Sequence, residues 1–119
     1  MDKKEIEKYL SSLKGGESSF PFGPAALVYK VMGKMYALVS QKEAIPRVTL
    51  KVNPADGEVL ESQYDSVTPG YYMNKRHWIT ISLTGELPLD MIKSLCENSY
   101  QLVVNNLTKK DKEKLKGMA

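Results

Sequence analysis

From Trp78 to Leu83 the sequence alternates: Ile79, Ile81 and Leu83 fall on one side, Trp78, Thr80 and Ser82 on the other. That is the period of a β-strand with one face in a core. An apolar sheet face needs a covering layer, and the sequence supplies one directly afterwards. Beginning at Leu87-Pro88, the residues Leu89, Ile92, Leu95, Cys96, Ser99, Leu102, Val103 and Leu107 trace an apolar stripe along about five turns of helix. Strand and helix together predict a two-layer α+β domain.

The rest of the chain fits this frame. Residues 2–13 read as an amphipathic helix with Ile6, Tyr9, Leu10 and Leu13 on one face, ended by Gly15-Gly16. Phe20-Pro21-Phe22-Gly23-Pro24 is a rigid loop whose two aromatics are expected to plug an edge of the core. Leu27–Val31 and Lys34–Ser40 form a hairpin around Met32-Gly33, and Arg47–Val52 is a third strand. Asn53-Pro54 opens a short helix reaching about Gln63. Asp56-Gly57 admits a hairpin turn as the alternative. Pro69-Gly70 is a turn signal, Tyr71–Met73 a brief fourth strand, Asn74-Lys75 a weaker turn, and His77–Leu83 the fifth strand. Thr108-Lys-Lys-Asp111 resembles a capping box, so residues 1–107 are expected to form the domain and 108–119 a Lys-rich helix or frayed tail.

At 119 residues, with 42% hydrophobic and 26% charged residues, the chain is long enough to bury a core without disulfides or structural metal. Apolar runs such as Ala25–Tyr29 are far too short to span a bilayer. The mixed-charge start, Met1 to Ile6, lacks the pattern of a secretory leader, so a cytoplasmic protein with no membrane partner is expected. The single Cys96 agrees with a reducing compartment. The net charge of +3 resides in the last twelve residues, with five lysines against Asp111 and Glu113. The preceding chain is balanced.

Enzymatic signatures are missing from the sequence. One His and one Cys make no ligand pair, so no metal is expected. No elbow motif ties a nucleophile to His77, which reads as a structural imidazole hydrogen-bonded near its strand start. No phosphate loop or paired carboxylates occur. The expectation is a non-enzymatic binding module without a cofactor. Strand parity places Arg47, Thr49, Lys51, Trp78 and Thr80 on the sheet face away from the core, beside Val28 and Leu38, with Lys30 and Tyr36 nearby and Lys75 and Arg76 at the adjoining turn. Cations around an aromatic suit a polyanion.

At these residues the chain resembles the MmcQ/YjbR family of small bacterial proteins. The resemblance is carried by Pro21-Phe22-Gly23, Tyr29-Lys30-Val31, Gly33-Lys34-Met35 with Tyr36, Leu50-Lys51, Tyr72-Met73-Asn74-Lys75, His77-Trp78-Ile79 and Ser99-Tyr100. It implies an α-β3-α-β2-α arrangement, a mainly antiparallel sheet covered on one face by helices, similar to secretion-chaperone-like and CyaY-like folds. It also implies a DNA-binding protein with two wing hairpins, which would engage DNA through Lys30, Lys34, Lys51, Lys75, Arg76, His77 and Trp78; the sheet-face reading adds Arg47. The competing expectation is an adaptor that binds a protein partner through an aromatic patch of Phe22, Tyr71, Tyr72 and Trp78.

Overall fold

The computed structural model describes residues 3–70 and 74–118. The elements run α1 (Lys3–Ser12), β1 (Gly16–Ser19), β2 (Ala26–Val31), β3 (Lys34–Ser40), β4 (Arg47–Lys51), α2 (Pro54–Gln63), β5 (Val67–Pro69), β6 (Trp78–Ser82), α3 (Leu89–Asn105) and α4 (Lys109–Lys116). Six antiparallel strands form one sheet in the order β1-β2-β3-β4-β6-β5, so the fold is the expected α+β class with one more strand at each edge than the sequence patterns alone delineate. The predicted strand Tyr71–Met73 lies outside the described residues.

The β2–β3 hairpin turns at Met32 (φ 49°) and Gly33 (φ 79°). Two successive positive φ values make a turn whose twist matches that of the flanking strands, and Gly33 tolerates this without a Cβ clash. The ladder then slips: Lys30 faces Met35, but Tyr29 faces Ala37. Tyr36 is therefore the extra residue of a β-bulge, and it turns into the core together with Ala37. Its hydroxyl donates to the Leu10 carbonyl at 2.8 Å, and its ring meets Tyr100 edge-on at 5.3 Å. This corrects the expectation that Tyr36 lies near the outer face. Simple alternation fails at a bulge.

Pro69-Gly70 also differs from its reading as a tight turn. Pro69 is the last paired residue of edge strand β5, facing Ile79, and the Gly70 amide donates to the Trp78 carbonyl at 2.7 Å. An edge strand is where a proline's missing N–H is tolerated. The helices behave as the caps predict. Asn53 accepts from the Ala55 amide at 3.0 Å, which favours helix over the Asp56-Gly57 hairpin. Thr108 accepts from the Asp111 amide at 3.1 Å.

One face of the sheet, with Tyr29, Val39, Val48, Leu50, Ile79 and Ile81, joins Ile6 and Leu10 of α1 and Ile92, Cys96 and Val103 of α3 in the core. Leu115 of α4 joins it too, lying over Gly15, where a Cβ would come within 2.6 Å of its Cδ1. The Lys14 Nζ donates to the Lys116 carbonyl at 3.1 Å. The charged C-terminal segment is thus folded onto the body. On the opposite face one row crosses the sheet in register: Val28, Leu38, Thr49, Thr80. All four are buried, and the two threonine hydroxyls bond each other at 2.9 Å.

Candidate nucleic-acid interface

β4 runs through the middle of the sheet, and its two ends carry different chemistry. At its C-terminal end, Lys51 pairs in register with Trp78 of β6. The ladder between β3 and β4 stops at the Ala37–Leu50 pair. Beyond it the Lys51 amide donates to the Ser99 hydroxyl at 2.8 Å, and that hydroxyl donates to the Tyr36 carbonyl at 2.6 Å. Ser99 of α3 is fully buried and takes the place of the missing rung. It satisfies two backbone groups that would otherwise lose their partners.

Next to this wedge lies an open cleft of about 310 Å³, lined by Lys34, Met35, Lys51, Trp78, Val103 and Asn106. Lys34 follows the Met32-Gly33 turn and is exposed; Lys51 and Trp78 are half-buried. Asn106 caps the end of α3 and donates from Nδ2 to the Leu102 carbonyl at 3.0 Å. The β2–β3 and β5–β6 hairpins flank β4 at this end, with β3 and β6 ~10 Å apart, or two strand spacings. Lys30, opposite Met35 on the outer face, stands beside the first hairpin.

Lys75, Arg76 and His77 form the turn entering β6, closed by the His77 amide donating to the Asn74 carbonyl at 3.1 Å and the Arg76 amide to Asn74 Oδ1 at 3.0 Å. Lys75 and Arg76 line a smaller hollow with Glu58 and Glu61 of α2, so two carboxylates offset part of their charge. His77 corrects the expected role of its imidazole. The side chain is exposed and without a hydrogen-bond partner among the described residues, and it is the backbone that holds the strand start, the His77 carbonyl accepting from the Val52 amide at 2.8 Å.

The structure does not bring Arg47 to this site. It sits at the other end of β4, its amide donating to Ser40 Oγ at 2.9 Å and its Nε 3.4 Å from Glu43. There it borders a separate hollow with Asp65, Ser66, Thr68, Thr80 and Ser82. Thr49 and Thr80 are on the outer face but too buried to offer a contact surface. Phe22 lies at the Arg47 end, since its loop leads into β2 at Ala26, opposite Ser40. β2 places it about 17 Å from the Trp78 end. The aromatic patch expected of an adaptor is therefore divided, with Tyr71 and Tyr72 outside the described residues. Phe20 and Phe22 are 52% and 72% exposed, so they do not plug the core.

Sequence reasoning missed Asn106 and the placement of α4. α4 starts three residues beyond Asn106 and ends against Gly15, so its exposed lysines border the same end of the sheet. The sequence signal was the Thr108 cap with Leu115 spaced to face the core. Among the described residues no His, Cys, Asp or Glu cluster is placed to hold a metal ion, and no helix is long and apolar enough to cross a membrane. Burial pushes the Cys96 thiol up to about 12, which leaves it without nucleophilic character at neutral pH.

Comparison with known proteins agrees with this architecture. The YjbR family model matches residues 11–102. The chain is 37% identical over 111 residues to the uncharacterized protein YjbR of Escherichia coli K12, covering 93% of each chain. It is 35% identical over 100 residues to the uncharacterized protein YbdF of Escherichia coli O157:H7, covering 84% of this chain and 82% of that one. Among solved structures, a Deinococcus radiodurans protein with the DUF419 domain superposes with a TM-score of 0.86 at 34% identity, over 98% of this chain and 88% of that one. A Pseudomonas syringae protein superposes with a TM-score of 0.75 at 28% identity, over 86% and 98%. In sequence and in fold, this chain belongs to the YjbR family.

Proposed function

We propose that this protein is a non-enzymatic DNA-binding module that holds the phosphate backbone at the Trp78 end of its sheet. The observation that carries this reading is the convergence of Lys34, Lys51 and Trp78 on one open cleft between two hairpin tips. Lysine ammonium groups neutralise phosphates, and the indole supplies a face for sugar or base. The hairpins act as wings on either side of β4, with Lys30 beside the first and Lys75, Arg76 and His77 on the second. The exposed lysines of α4 add positive potential at the same end, which favours approach of a polyanion.

The test is a titration of isotope-labelled protein with a short DNA duplex at two salt concentrations, following amide signals and the single indole N–H. Trp78 and the amides of Lys34, Lys51 and Lys75–His77 should shift together and saturate. With three phosphates neutralised, affinity should fall roughly 40-fold between 50 and 200 mM salt. A response confined to Lys109–Lys116 would reduce the interaction to attraction by a charged helix. No shift at either salt would exclude the reading.

A second reading has its own support at the opposite end, where Phe20, Phe22 and Ile45 (47%) are each exposed. Exposed apolar clusters with nearby charges suit protein contacts. Such an interface would respond little to salt.

A further inference from the structure

Resting on the DNA-binding reading, we infer that the Trp78 cleft takes one unpaired nucleobase, so that the preferred ligand is a single strand rather than a duplex. The cleft divides into two kinds of wall. Lys34 and Lys51 supply cations, while Met35, Val103 and Trp78 make an apolar wall, in a cleft whose whole volume of about 310 Å³ is on the scale of a small-molecule site. A phosphate needs only the cations. A wall of two aliphatic side chains and an indole fits the flat face of a base, which stacks on aromatics without regard to sequence.

Asn106 supplies the third component. One Nδ2 hydrogen is committed to the Leu102 carbonyl, leaving Oδ1 and the second hydrogen as an adjacent acceptor and donor at the cleft wall. Every nucleobase presents an adjacent donor and acceptor on its Watson–Crick edge. In a duplex that edge is occupied by the partner base; in a single strand it is free, and single-strand readers use it in this way. The cleft lies between the start of β3, the paired ends of β4 and β6 and the end of α3, and a base that enters it leaves its stack. Lys34 and Lys51 then meet the phosphates on either side of it.

The experiment compares labelled oligodeoxyadenylate with the same oligonucleotide annealed to its complement, at low salt, by fluorescence anisotropy and by quenching of the single tryptophan. The single strand should bind about tenfold tighter and quench Trp78. Asn106→Ala, at an exposed position, should remove most of that preference, and Trp78→Phe should reduce it partly. Equal or tighter duplex binding without quenching overturns the inference and leaves the DNA-binding reading standing. If neither form binds, both fall. A preference for single strand that survives Asn106→Ala and Trp78→Phe together also overturns it, since another surface would then be responsible.

Discussion

Both ends of β4 are tied to a serine hydroxyl where the pairing with β3 runs out, yet the two ties differ in kind. At the Arg47 end the serine is Ser40, seven residues away on the neighbouring strand, half-buried and reached by water. At the Lys51 end it is Ser99, 48 residues away on α3, fully buried and bonded to both strands. The first merely finishes a strand. The second fastens a helix into a gap in the sheet and fixes the backbone that carries Lys51, Trp78 and their cleft. One chemical group does local or long-range work according to what lies around it.

The comparison predicts an asymmetry between the ends. The largest effect should come from Val103→Asp, which buries an unpaired carboxylate at the Trp78 end, costs several kcal/mol and unfolds the domain, as circular dichroism would show. Ile45→Asp at the other end should stay within about 0.5 kcal/mol. Next, Ser99→Ala strips partners from a buried N–H and a buried C=O and should cost about 2–4 kcal/mol in urea unfolding. Ser40→Ala, where water substitutes, should cost below about 1 kcal/mol. Equal costs would mean that the two serines do the same work.

Alkaline titration probes the same end. Burial raises the Tyr36 phenol well above its ordinary 10.0, so the folded state holds it neutral. The stability this contributes is complete below pH 10, the unfolded value, and is lost as pH climbs toward the raised folded value. Tyrosinate absorbance of Tyr36, isolated as the difference from Tyr36→Phe, should appear only with unfolding. Smallest in free energy is the effect on binding. Lys34→Ala with Lys51→Ala should weaken DNA about tenfold in anisotropy measurements, while Arg47→Ala, bonded to Glu43 away from the cleft, should change it less than about twofold.

Much of this fold is written in local patterns. The Met32-Gly33 hairpin, the alternation of β4 and β6, the Asn53-Pro54 and Thr108 caps and the stripe of α3 each follow from short-range chemistry. β1 is hidden because Gly16–Ser19 carries no apolar side chain and is mostly exposed; only its partner β2 makes it a strand. β5 is hidden because Val67-Thr68-Pro69 resembles a turn until β6 pairs with it. Of the site, Lys51 and Trp78 were legible from parity, and Lys34 from the family resemblance. Arg47 shares their parity but lies four residues along the strand, a separation that parity does not express. Ser99 left one trace, a hydroxyl in an apolar stripe, and such a hydroxyl must find partners.

The bulge at Tyr36 also governs where the chain can change length. Side chains before and after it keep opposite phases, so Met35 and Leu38 share the outer face although they are three apart. Deleting Tyr36 would leave Met35, Ala37 and Leu38 in simple alternation but would strip the core of the phenol bonded to Leu10, whereas deleting Leu38 would turn the rest of β3 onto the wrong face. Residues added at the Met32-Gly33 tip would leave that phase untouched. Loop grafts and peptide tags inserted at the tip should therefore be carried by a folded domain, whereas deletion of Leu38, in the paired middle of β3, should not yield one.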